Sequence, residues 1–136
     1  MNNPFLFRQA LTYFLVKFEE GTLDLADFAA TLGLDLATLE RFGTECTLEI
    51  GRNEFYRRDI NEMLRETLKD LFGKEELLVG LKEKYHLEYS LERVPVLYEN
   101  DDENQRLSLA DDIIAFMYQT GTHDDLDYFI FSRGNQ

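Results

Sequence analysis

The chain has 136 residues, enough for one globular domain spanning 1–136 with an apolar core of its own. An apolar fraction of 44% excludes wholesale disorder. The 27 acids against 14 Lys and Arg leave a formal charge of −13, which repels phosphate backbones and anionic membranes and attracts basic proteins.

Cys46 is the only cysteine, so no internal disulfide forms. No basic stretch followed by an apolar run and a small-residue cleavage site opens the chain, and no run is long enough to span a bilayer. A cytoplasmic protein is expected.

Met1–Arg8 reads as a lead-in, with Pro4 near its start. Ala10–Phe18 reads as a strand with two apolar faces: Leu11, Tyr13 and Leu15 on one, Thr12, Phe14, Val16 and Phe18 on the other. Both faces need cover, which predicts an internal strand. Asp24 caps a helix with Leu25, Phe28, Ala29 and Leu32 on one stripe, ended by Gly33. A shorter helix follows from Asp35, with Leu36 and Leu39 inward and Gly43 as its stop. Cys46–Ile50 alternates as a strand with Cys46, Leu48 and Ile50 inward. Gly51-Arg52-Asn53 reads as a hairpin turn, and Glu54–Arg57 as a charged return strand.

Asp59, with Glu62 three residues on, opens the clearest helix. Its stripe is Ile60, Met63, Leu64, Thr67, Leu68, Leu71 and Phe72, and Gly73 ends it. Lys74–Tyr85 is a further helix with Leu77, Leu78 and Leu81 inward. Leu87–Tyr98 is extended: Leu87, Tyr89 and Leu91 alternate with Glu88, Ser90 and Glu92. Pro95 either breaks its ladder or sits where no amide is needed. An acidic loop from Glu99 to Asn104 leads to a helix capped by Ser108, with Asp111 and Asp112 in its first turn. The run Ile113–Tyr118 predicts burial on most sides of that helix, and Gly121 stops it. His123–Asp127 reads as a polar turn and Leu126–Phe131 as a final strand.

This order predicts an α+β fold: an antiparallel sheet of about five strands packed with helices around a ferredoxin-like split β-α-β core. The face of the opening strand that carries Thr12, Phe14, Val16 and Phe18 would be covered by the helix from Ser108 or by a second subunit, as a homodimer.

Several features resemble the bacterial domain-of-unknown-function family 4279: the opening strand, the helix ending LGL at Leu32–Leu34, the segment LKDLFGKEELLVGLKEKY, and LSLADDIIAFMYQTGTHDDLDYFIF. The last segment is similar to that family's closing helix, glycine-containing turn and final strand. The family usually carries a tryptophan near the middle hairpin; here Phe55 or Tyr56 stands in that neighbourhood. No site residues transfer, because the family has no established reaction. It is similar to small proteins suspected of acting as immunity partners of bacterial toxins.

The residues themselves give no catalytic constellation. Cys46 with His86 or His123 is a nucleophile–base pair in composition alone, and an inward Cys46 packs as a small hydrophobe. His123, Asp124 and Asp125 with Asp111 and Asp112 fall short of a zinc set. Asp101–Asp112 has the length of a calcium loop but lacks the central glycine and the closing glutamate. No phosphate-binding glycine loop is present. No cofactor is expected.

Charge layout is more informative. Val94–Ser132 holds nine acids, Glu99, Asp101, Asp102, Glu103, Asp111, Asp112, Asp124, Asp125 and Asp127, opposed by Arg106 alone. Ten of the 14 basic residues lie between Arg41 and Arg93. If the acidic turns share one end of the fold, they make a negative surface that steers a basic protein partner. The expected function is therefore a non-enzymatic acidic binding protein, foremost an immunity protein neutralising a basic toxin or nuclease. The alternatives are a DNA-mimicking anti-defence inhibitor and a small-molecule or metal-binding domain.

Overall fold

The protein is described by a computed structural model over residues 6–7, 9–55, 58–98, 108–127 and 129–131. The opening strand, β2 (Gln9–Lys17), lies inside the sheet, as its two apolar faces predict. It runs antiparallel between β3 (Thr47–Phe55) and β5 (Glu88–Tyr98). The position beyond β5 is filled first by β6 (His123–Leu126) and then by β7 (Phe129–Phe131), both parallel to β5. A small ribbon pairs β1 (Leu6–Phe7), inside the expected lead-in, with β4 (Arg58–Asp59).

The fold is therefore α+β with a mixed sheet. The antiparallel expectation holds from β3 through β5 and is corrected at β6 and β7. A parallel pairing needs a crossover, and α5 (Asp111–Thr120) provides it. The ferredoxin-like pattern is met only in outline: β2 and β3 are direct neighbours, with no third strand between them. Val94 and Pro95 fall between the residues of β5 that pair β6 and those that pair β7. The proline, which has no N–H to give, thus sits at a break in that ladder.

The expected hairpin at Gly51 is absent. β3 continues through it, and Gly51 takes a left-handed φ of 67°. The register with β2 slips between Thr12 and Phe14, so the glycine makes a β-bulge. Helix α3 (Ile60–Leu68) sets this choice: Thr67 Oγ1 donates to Gly51 O at 2.9 Å and lies 2.5 Å from Thr12 Oγ1. Cys46 is corrected as well. It lies exposed, one residue before β3, while Leu48 and Ile50 are buried as expected.

The helices are α1 (Leu25–Leu32), α2 (Leu36–Arg41), α3 (Ile60–Leu68), α4 (Glu75–Tyr85) and α5. Asp24, Asp35 and Asp59 cap the first three, each carboxylate accepting a first-turn amide. Ser108 does not cap α5. Ala110 occupies that position, and its N–H donates to Asn61 Oδ1 at 2.8 Å, while Asn61 Nδ2 donates to Ser108 O at 3.1 Å. Lysines close two helix ends: Lys74 Nζ donates to Leu32 O, and Lys82 Nζ to Gly121 O at 3.0 Å.

The core lies on one side of the sheet. Ala10, Thr12, Phe14 and Val16 of β2 are buried there beside Tyr89 and Leu91 of β5 and Leu87 just before it. Phe14 meets Tyr89 at 5.1 Å and Phe116 of α5 at 6.1 Å between ring centres. Tyr89 Oη donates to Leu78 O of α4 at 2.6 Å. So α5 covers the Phe14 face, as one of the two covers expected for it. It is also amphipathic rather than buried all round: Ile113, Phe116 and Met117 are buried, but Ile114 and Tyr118 face outward. Leu77, expected inward on α4, is exposed too.

Candidate functional site: the open face of the sheet

The second face of the sheet has no described helix over it. Alternation puts Leu11, Tyr13, Leu15 and Lys17 of β2 on this face, and the first three are only half-buried. Register adds their cross-strand partners. Glu54 lies opposite Leu11, and Glu49 opposite Leu15. On β5, Val94, Glu92, Ser90 and Glu88 lie opposite Leu11, Tyr13, Leu15 and Lys17. β6 then sets His123 beside Ser90 and Asp125 beside Glu92. The result is an apolar stripe framed by Glu49, Glu54, Glu88, Glu92 and Asp125. Lys17 and Arg52 are the bases among them. Arg52 is engaged, donating to Glu49 at 2.8 Å and stacking its guanidinium 5.6 Å from the Tyr13 ring centre.

Among the described residues, the sequence-predicted acids are dispersed. Glu99, Asp101, Asp102 and Glu103 lie outside the described residues. Asp111 is exposed at the start of α5. Asp112 binds Arg65 of α3 through paired hydrogen bonds of 2.8 and 3.0 Å, which hold its carboxyl below the usual range. Asp124 is turned to the helix side of β6, where it accepts Arg93 Nε at 3.0 Å and Nη2 at 2.8 Å. Arg93 is buried, its side chain only 5% exposed. Asp127 donates its backbone N–H to Arg93 O. Of the acids on β6, Asp125 alone joins the open face. The residues expected as a polar turn from His123 are a strand, so the acids at 124 and 125 point to opposite sides. Asp111 and Asp112 belong to the helical layer, across the sheet from Asp125.

Glu92 is the residue the sequence did not single out. Burial holds its carboxyl up to about 7, supported by the hydrogen bond and the charge of Asp125. The two carboxyls stand in direct cross-strand register, and the nearby charge of Asp125 favours the protonated form of Glu92. Its Oε2 is buried without a hydrogen-bond partner, as is Ser90 Oγ. Polar alternation of Glu88, Ser90 and Glu92 marks this face in the sequence; the pairing with Asp125 needs the parallel register of β6.

A folded-state value above the ordinary 4.5 means that the folded form holds the proton more tightly. The stabilisation is full below the unfolded value and is lost as pH rises towards 7. Glu92→Gln should remove that slope and be the more stable form at pH 8, by on the order of 1 kcal/mol after allowance for solvent screening. Urea unfolding at pH 5 and pH 8 tests this; an equal difference between the two proteins at both pH values would contradict it.

Among the described residues, no group of three or more His, Cys, Asp or Glu is placed to hold a metal ion. Nor is any helix among them long and apolar enough to cross a membrane.

Fold and face together define the class: an α+β domain with helices on one side of a mixed sheet and an acidic, half-apolar surface on the other. No protein-family model, curated protein or solved structure matches the chain.

Proposed function

We propose that this chain is a non-enzymatic binding protein that engages a basic protein through the open face of its sheet. An immunity protein that blocks a basic toxin is the form this takes, and the kinship with family 4279 belongs to the same proposal. The observation that carries it is the composition of that face. Leu11, Tyr13 and Leu15 give apolar contact area, and Glu49, Glu54, Glu88, Glu92 and Asp125 surround them. Such a rim steers a cationic partner into register while the centre is desolvated.

The test is capture by the immobilised protein from lysate of its own host cells, with the retained proteins identified. A basic protein should be held at about 50 mM salt and released well below about 1 M, where screening shortens the electrostatic range to a few ångströms. The double variant E54K/E88K should slow its association about tenfold or more at low salt, with the difference closing at high salt. If nothing basic is retained at low salt, or if the variant binds like the parent, the proposal fails.

A further inference from the structure

We propose that Glu92, Asp125 and Ser90 form a seat for one arginine side chain of that basic partner. The inference rests on the binding function for the source of the arginine, but its chemistry can be tested without the partner. Three independent features point to a missing donor at this place.

First, Glu92 and Asp125 stand directly opposite one another on adjacent parallel strands. The close approach of two carboxyls costs energy unless a cation or a proton lies between them. Here the proton does that work, and burial with the Asp125 bond holds Glu92 at about 7. The charged and titratable groups acting on Glu92 are Asp125 and Asp127 beyond β5 and Lys17 on β2. Tyr13 lies across from it, with Glu49 and Arg52 behind.

Second, two polar atoms on this face lack a partner. Ser90 is 9% exposed and its hydroxyl is unpaired, as is Glu92 Oε2. Ser90 and Glu92 are alternate residues of β5, so the hydroxyl flanks the carboxyl on one face. Native structures seldom leave buried polar atoms unpaired, and a ligand donor reaching both would satisfy them.

Third, the face already accommodates a guanidinium. Arg52 stacks on Tyr13, and Tyr13 is the cross-strand partner of Glu92. A planar fork with five donors can reach two carboxylates and a hydroxyl together, whereas an ammonium presents a compact point charge. At a pH below about 7, docking of the guanidinium displaces the proton held on Glu92 and releases it to solvent.

The experiment is a backbone-amide NMR titration with the peptide acetyl-Gly-Arg-Gly-amide, alongside its citrulline and lysine counterparts, at pH 8 and pH 6. The arginine peptide should shift the amides of Ser90–Arg93 and His123–Leu126 saturably at pH 8. Its affinity should fall about tenfold at pH 6, where the proton competes. The uncharged citrulline peptide should leave those amides in place, and the lysine peptide should bind several-fold more weakly. Glu92→Gln should abolish the response and Ser90→Ala weaken it, while Glu83→Gln, on the exposed side of α4, should not change it. Equal shifts with citrulline, shifts spread evenly over all acidic segments, or an unchanged response in a folded Glu92→Gln protein would overturn the seat. Equal binding of the lysine peptide would overturn the assignment to arginine. If the peptide behaves as expected but no basic protein is captured, the seat stands and the binding function falls. Capture that survives with no peptide response leaves the function and removes the seat.

Discussion

Gly51→Ala should destabilise the domain by about 3–5 kcal/mol, among the largest losses expected from a single methyl group. Two costs combine. Gly51 sits at a φ of 67° in the middle of a strand, a conformation side chains resist. A Cβ built there would also lie 2.1 Å from Thr67 O, a backbone atom that cannot swing aside. Relieving the clash means pulling α3 away from the bulge, which breaks the Thr67–Gly51 and Thr67–Thr12 hydrogen bonds and uncovers Met63 and Leu64. Small domains have only about 5–15 kcal/mol of stability in total, so a large unfolded fraction at 37 °C is expected. Urea unfolding at pH 7 checks it. A loss under about 1 kcal/mol would mean that the bulge and helix are not locked together as described.

Asp124→Ala should cost about 2–4 kcal/mol, because it takes two charge-assisted hydrogen bonds from a buried guanidinium. Arg93 gives two hydrogen bonds to Asp124. The acid is 40% exposed, so water partly compensates, which places the estimate below the full cost of breaking a buried pair. Asp125→Ala, one residue on, should be neutral at pH 5 and stabilising at pH 8, since it removes the repulsion with Glu92. The signs should therefore differ between neighbours of identical chemistry. Denaturant unfolding of both variants at pH 8 decides the matter. Parallel losses at the two sites would refute the assignment of one acid to the helix side and the other to the open face. Binding should separate them as well: a folded Asp124 variant should keep its partner, and Asp125→Ala should weaken it.

What the sequence revealed is what local chemistry decides. Asp24, Asp35 and Asp59 cap helices within a few residues of themselves, and Gly33 and Gly121 close helices in the left-handed conformation. Strand parity is equally local, so Leu87, Tyr89 and Leu91 fall on the buried side as expected. Gly51-Arg52-Asn53 shows the limit. A bulge and a hairpin make the same demand on that glycine, and the deciding contact comes from Thr67, 16 residues away. The run Ile113–Tyr118 is apolar enough to read as buried all round, yet only one stripe of it meets the core. Acids at 123–127 read as a turn because a buried strand would exclude them; at a sheet edge they are tolerated. Composition told that the chain is acidic but not which acids are neutralised internally. Arg65 and Asp112 are 47 residues apart, and Arg93 and Asp124 are 31 apart. Pairings at such separations carry no local signature, so the candidate face became visible only when register joined Glu92 to Asp125.

The parallel placement of β6 and β7 bears on how the chain is made. Every strand up to β5 can zip to a neighbour as it leaves the ribosome, since β3 and β5 each pair antiparallel with β2. The outer rim of β5 must wait for α5 to dock before the last strands can return beside it. For that interval a nascent chain carries a bare strand edge, the kind that recruits other unfinished chains. The carboxylates brought in with His123–Leu126 then seal that rim with charge, so the last piece to arrive also ends the window for aggregation.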